Sequence, residues 1–430
     1  MILDRYLFAI QILFMGTTRD MGSVSKGESI QASGGAGNAV RLAMVAVAGV
    51  SAFLNLYAAQ PLLPTLAKVF GVDPGRTSLL VSAPTLAVAL SAPFLGMVSD
   101  RYGRRRTLVV SLFGLALPTL LAATAGTFAQ LVFWRFLTGI FLPGIITSAI
   151  AYIAEEWGED APRAVSLYVT ATVLGGFLGR MLAGFFGEHG GWKLSFLVLG
   201  SVTLAGAVAV QGWLPKARTR QATSGAVNWG GEIVHHLRNP DLLATYALGF
   251  GVLFSLVAVF TFLVFHLAAP PYRLGPTSQG MIFLVYLLGL VVTPTSGDWI
   301  RRFGASRTVL AALAASCLGV GLTLVTPLAL VIAGLALCTT GVFVCQAAAS
   351  SYIGQAADRT RSVAAGLYVS CYYAGGSAGA VGSGLAWHRA GWTGCVALVV
   401  LVQLACAVLV HFAWGHPAAQ PKEELVPAVP

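Results

Sequence analysis

Twelve apolar stretches, each close to the roughly 20 residues that a helix needs to cross a bilayer, leave this chain few folds to adopt. They run over 42–62, 77–98, 107–125, 129–153, 164–186, 194–214, 242–266, 278–297, 308–325, 328–353, 364–386 and 393–413. The hydrocarbon layer holds no water, so every backbone N–H and C=O in such a run must be bonded internally. That makes each run a helix. The expected fold is an all-α membrane protein with twelve transmembrane helices. Composition adds an exclusion: 10% of the 430 residues are charged, against about 25% in a soluble domain. An ordinary soluble enzyme and a nucleic-acid-binding module are ruled out. The 50 glycines fall inside apolar runs, as expected where membrane helices pack closely.

The net charge of +10 is a topology signal. With the amino terminus placed in the cytoplasm, 19 of the 26 Lys and Arg lie on that side, five lie outside, and two, Arg135 and Arg180, lie within spans. This is the positive-inside pattern, and it needs no nucleic acid to explain it. An even number of spans puts both termini in the cytoplasm, as in a multi-pass protein of a bacterial inner membrane. The longest loop, 215–241, separates six spans from six. The expected organisation is a loose or early-started tail over 1–39, bundles over 40–215 and 241–414, a cytoplasmic linker over 216–240 and a tail over 415–430. The six cysteines lie in second-half spans with no metal-ligand spacing, and read as packing residues. The 16 acidic residues sit in loops, tails or near helix ends, and there is no phosphate-binding loop. No enzyme, metal site or cofactor is implied.

The halves repeat. Tyr152-Ile153 recurs as Tyr352-Ile353, Leu167-Tyr168-Val169 as Leu367-Tyr368-Val369, and Gly175, Gly176, Gly179, Gly184 and Gly191-Trp192 recur 200 residues later. Near the second span the offset is 201: Arg101-Tyr102-Gly103 matches Arg302-Phe303-Gly304. Parallel halves of this kind signify a transporter with its site between them.

The segment from Gly96 through Asp100, Arg101, Gly103, Arg104 and Arg105 resembles the loop motif G-x-x-x-D-R-x-G-R-R/K of the major facilitator superfamily. Leu131, Arg135 and Gly139 look like a motif of its proton-driven drug exporters, and Leu56–Pro61 and Ala151–Glu156 look like its sugar and drug efflux permeases. The exporters' fifth-helix motif carries Gly-Pro, where this chain has Gly179-Arg180. The resemblance implies two pseudo-symmetric six-helix bundles, with helices 1, 4, 7 and 10 around a central cavity. It implies secondary transport of a small organic solute by alternating access, as proton-coupled efflux of a drug, sugar or metabolite. Uptake or exchange of an organic anion is the alternative; a receptor or structural protein is the reading without flux. The implied partners are a small-molecule substrate, protons and the bilayer, with the chain acting as a monomer.

Asn55, Tyr57 and Gln60 of the first span and Gln346 of the tenth are candidate cavity residues; interhelical bonding uses the same residue types. Arg135 and Arg180 each lie six residues from a helix end, roughly 9 Å below the outer boundary, with no carboxylate in any span interior. Either a substrate anion supplies the missing charge, or the arginines snorkel outward, helped by backbone carbonyls. In the loop motif, Gly96 is expected to admit a close helix, Gly103 to make a sharp turn and Arg104–Arg106 to hold the anionic leaflet. Asp100 aligns with Arg301. The expectation is a cytoplasmic gate in which Asp100 meets Arg359, Arg361 and Ser362, while Arg301 and Arg302 meet Glu155, Glu156, Glu159 and Asp160.

Overall fold

The computed structural model describes residues 32–215, 229–356 and 361–414. The expectations for the rest of the terminal tails, for Lys216, Arg218 and Arg220, and for Arg359 lie outside the described residues, as do the side chains of Glu159, Arg361 and Ser362. Residues 32–40 belong to the first helix, and the described residues from Arg41 onward form one compact unit.

Fourteen α-helices make up the described chain. They are α1 (Ala32–Leu56), α2 (Leu63–Phe70), α3 (Pro74–Thr77), α4 (Leu79–Tyr102), α5 (Arg104–Ala122), α6 (Phe128–Trp157) and α7 (Ala161–Trp213). Then follow α8 (Trp229–Leu237), α9 (Pro240–Ala268), α10 (Pro276–Ile282), α11 (Leu288–Phe303), α12 (Ala305–Leu322), α13 (Leu328–Ala356) and α14 (Arg361–Ala413). No strand occurs among the described residues.

Ten helical segments there are long and apolar enough to cross a membrane. Two of them, α7 and α14, each hold 53 residues, roughly 80 Å of helix against a hydrocarbon core of about 30 Å. Both are broken: α7 at Gly191 and α14 at Ala390 and Gly391, where the backbone leaves helical geometry. Each therefore crosses twice, and counting them so gives twelve passes.

Local chemistry sets the helix ends. Thr127 caps α6 by accepting from the Gln130 N–H at 3.2 Å, while Gln130 accepts in return from the Gly126 N–H at 3.0 Å. Asn239 caps α9 ahead of Pro240, a residue suited to a first turn because it brings no N–H to leave unbonded. The turns from α4 to α5 and from α11 to α12 are made at Gly103 (φ 93°) and Gly304 (φ 84°), a region L-residues avoid. The turn expected at Gly103 is there.

The repeat is visible as contacts. A Cβ on Gly179 would lie 2.0 Å from the Leu54 carbonyl oxygen, and one on Gly379 2.4 Å from that of Phe254. Gly175 and Gly375 meet Val50 and Phe250 in the same way, and Gly49 and Gly249 face the rings of Tyr168 and Tyr368. Ser195 donates to the Ala183 carbonyl, and Cys395 to that of Ser383. Every one of these pairs is offset by 200. The glycines bring α1 and the first pass of α7, and likewise α9 and the first pass of α14, to backbone contact. Van der Waals packing of this kind drives helix association where lipid removes the hydrophobic force.

Large exposed apolar residues such as Leu90, Leu385, Leu401 and Phe412 face outward from the bundle, as lipid-facing positions do. The helix α9 is the most enclosed, with 89% of its apolar window buried.

Candidate functional site

The site is built on an interruption. The helix α1 ends at Leu56, residues 57–59 form a turn, and a short 3-10 turn over Gln60–Leu62 leads into α2. Pro61 and Pro64 stand at the second positions of those two elements, in the first turn, where a missing N–H is tolerated. The break frees the carbonyls of the last α1 turn. Arg135 of α6 takes them up: Nη1 donates to Asn55 O at 2.8 Å, Nη2 to Leu56 O, and Nε to Leu80 O at 3.2 Å. Its guanidinium is 1% exposed. These three bonds make Arg135 a staple across the break, which is the carbonyl-assisted alternative rather than an open anion site.

Arg180 of α7 is as deeply buried, at 2%, but its bonding differs. Nε donates to Gln60 Oε1 at 2.8 Å and Nη1 to Gly176 O at 2.6 Å. Among the described residues Nη2 has no hydrogen-bond partner, and no carboxylate pairs with the group. Three rings enclose it: Tyr57 with its centroid at 4.8 Å, Phe283 at 4.6 Å and Tyr286 at 4.8 Å. Desolvated cation–π contacts are worth about 2 kcal/mol each, enough to hold the charge without a counter-ion close by. Gln60 also donates to Thr261 of α9 at 3.3 Å. The Tyr286 hydroxyl is buried and unbonded. The first half of the chain thus supplies the charge and amide, and the second half supplies Phe283, Tyr286 and Thr261. Phe260 of α9 packs behind both rings, at 5.2 and 4.8 Å.

The other expected residues are dispersed. Asn55 is not in the site: its amide donates to Ser51 O at 2.8 Å and Thr203 Oγ1 at 2.7 Å, inside the first half. Gln346 of α13 accepts from the Tyr372 hydroxyl at 3.1 Å and makes no hydrogen bond to Arg180. A Cβ on Gly96 would meet nothing within 4 Å, so the close helix expected there is absent.

Arg104 binds Asp100 and, at 2.8 Å, Glu155; Arg105 donates to the carbonyls of Gln211 and Leu214. Both arginines that were expected on lipid thus hold the protein together. Glu156 pairs with Arg41 at 3.2 Å. Arg301 pairs with exposed Asp298, Arg302 lies over the Phe303 ring, and Arg101 lies over Tyr102. Among the described residues, the ion pairs of Asp100, Glu155 and Arg301 each lie within one half.

At the face opposite these arginines the halves do meet. Gly184 and Gly280 lie against the backbones at Pro276 and Arg180, and Ser82 bonds Ser377 at 2.7 Å. A cavity of about 210 Å³ remains there, lined by Pro61, Lys68, Arg273 and Gln279 among others.

Sequence reasoning missed Phe283, Tyr286 and Thr261. Inside an apolar run they look like any lipid-facing residue, and only the fold turns them inward. The 16-residue α11 is preceded by a 3-10 segment over Phe283–Leu287, and that local tightening aims both rings at Arg180.

The sequence model of the Major Facilitator Superfamily matches residues 45–380. The chain is 30% identical over 369 residues to the inner membrane transport protein YnfM of Escherichia coli (strain K12), covering 84% of this chain and 87% of that protein. It is 36% identical over 170 residues to the 3-(3-hydroxy-phenyl)propionate transporter of the same organism, covering 38% and 41% of the two chains. Its fold matches the inward-facing, occupied crystal structure of a bacterial homologue of the human lysosomal transporter Spinster. That match has a TM-score of 0.73 and 14% identity, over 88% of this chain and 97% of that one.

Proposed function

The chain belongs to the major facilitator superfamily, and on that premise we propose that it moves a small organic anion, an aromatic or otherwise flat carboxylate, by alternating access. The observation that carries this reading is Arg180: a buried cation between the halves with Nη2 unbonded, beside an unbonded Tyr286 hydroxyl. An arginine fork and a phenol are the donors a carboxylate accepts from, and the rings of Tyr57, Phe283 and Tyr286 suit a flat apolar body. The relative named for an arylpropionate supports the same class. Taking the arginine-rich face as the cytoplasmic one supports a topology with both termini inside, and the bacterial relatives support a bacterial inner membrane. One chain contributes every group in the site, so a monomer suffices. The functional units are the six-helix bundles 40–215 and 241–414.

Proton-driven efflux is the second part of the reading, and a different pair supports it. Arg41 and Glu156 are 3.2 Å apart with side chains 8% and 1% exposed. A carboxylate so enclosed is the best-placed proton carrier in the first half, while Asp100, Arg104 and Glu155 form the gate-side network on the same face.

The test is binding to purified protein. The wild type should bind 3-phenylpropionate and not its amide. Arg180→Gln should weaken binding roughly 10- to 100-fold, with Arg180→Lys in between. Equal binding of acid and amide, or unchanged binding by Arg180→Gln, overturns the anion reading. For coupling, Glu156→Gln should abolish flux driven by a pH gradient and leave counterflow intact.

A further inference from the structure

Glu188 and His388 occupy matching helical positions in the two halves, and each reaches across to the other half. Glu188, just before the α7 break, accepts from the Thr277 N–H at 2.8 Å and so caps α10. His388, just before the α14 break, donates from Nε2 to Asp73 Oδ1 at 2.8 Å. Asp73 is itself the cap of α3, accepting from the Arg76 N–H at 3.0 Å. The contact is intimate: a Cβ on Gly384 would lie 3.0 Å from Gly75 Cα, and one on Gly75 would lie 2.9 Å from His388 Nε2. Two latches of matching position therefore close this face, and they differ in chemistry. One is a carboxylate on a backbone N–H; the other is an imidazole on a carboxylate.

We infer that Asp73 and His388 form a proton-binding site that favours closure of the outer face when that side is acidic, while the Glu188 latch is indifferent to pH over the same range. An imidazole changes charge between about pH 5 and 8, whereas a carboxylate stays ionised there. Closure and proton uptake are linked because the imidazolium meets a carboxylate only when the face is closed.

Partial burial pushes the Asp73 carboxyl up, but the Arg76 N–H, the His388 imidazole and the Gly75 N–H outweigh it and hold it below the usual carboxylate range. Its contribution is present above that range and is lost only as pH falls below about 4. The charged side chains nearest this contact along the chain are Arg76, Arg389 and, on α2, Lys68. All are cations, and Asp73 is the carboxylate that faces His388. The side chains are 54% and 35% exposed, which limits the effect to a roughly two- to fivefold shift between open and closed forms.

The inference rests on alternating access but not on any substrate, so it is tested without one. Spin labels at Val69 and Ser278, in a variant with the six cysteines replaced, report the outer-face distance in lipid nanodiscs from pH 5.5 to 8.5. The closed population should rise toward acid in the wild type. His388→Asn, which keeps a neutral donor, should flatten the profile, and His388→Lys should hold the face closed throughout. Glu188→Gln should lower closure at every pH with the slope kept, and His189→Asn and His266→Asn, on the same side, should leave the slope intact. A slope that survives His388→Asn, or a wild type with none, overturns the inference. A single distance at every pH in every variant would instead count against alternating access itself.

Discussion

The two halves share a scaffold and divide the chemistry. At an offset of 200 the glycine contacts, the starts of α6 and α7 and the hydrogen bonds of Ser195 and Cys395 repeat. At the same offset the polar inventory does not. Tyr57 matches Val257, Gln60 matches Phe260, Arg135 matches Leu335 and Arg180 matches Ala380. The first half keeps the charges and the second keeps rings and aliphatics. Packing constraints act on both copies alike, because close backbone approach is needed wherever α1 or α9 crosses its partner. A central site needs only one charge and one surface to lay against it.

The comparison breaks most visibly at the shared glycines. Gly179→Val and Gly379→Val should each cost about 3 kcal/mol or more, since the new atoms collide with a carbonyl in both halves. Thermal unfolding in detergent should show similar losses, and a loss confined to one half would end the claim of a common scaffold.

Making the first half resemble the second should separate its two arginines. Arg135→Leu takes the guanidinium from Leu56 O and leaves Asn55 O only the 3.4 Å bond from the Ala58 N–H, and should cost roughly 2 kcal/mol or more. Arg180→Ala should alter stability by less than about 1 kcal/mol, because the lost stacking is offset by removing a buried charge, yet binding should disappear. If Arg180→Ala proves the more destabilising of the two, the division into staple and site is wrong.

The smallest effect belongs to the turns. Arg104, 16% exposed and bridging Asp100 to Glu155, has Ala305 as its counterpart. Arg104→Ala should lower stability by about 1 kcal/mol. Arg301→Ala, in a pair 77% and 70% exposed, should change it by under about 0.5 kcal/mol. Unfolding curves of the two variants would show whether the first turn is the firmer one.

Much of this was legible in the sequence, for definite reasons. The spans follow from hydropathy, the repeat from spacing, and the Gly103 turn from a residue that alone tolerates that backbone. Arg180 stood out because a charge in an apolar run demands an explanation. Asn55 was misplaced because its direction depends on how α1 is rotated about its axis, which an apolar run on all sides does not fix. The α1 break was hidden because Tyr57, Ala58 and Ala59 are unremarkable as helix formers; the freed carbonyls are answered by Arg135, 76 residues beyond Ala59. Gly96 was over-read: a motif position says that a small residue is present, not which conformation uses it.

The 3-10 segment Phe283–Leu287 has a geometric consequence. Five residues wound at three per turn advance about 600°, against about 500° at 3.6 per turn. The helix α11 is therefore rotated by about 100° from where an unbroken helix would have left it, a difference in phase more than in direction. Rewinding those five residues would carry Phe283 and Tyr286 off Arg180 and swing Asp298 and Arg301 about the α11 axis by the same angle. The placing of the two rings at Arg180 and the azimuth of the turn after α11 are thus set by the same five residues.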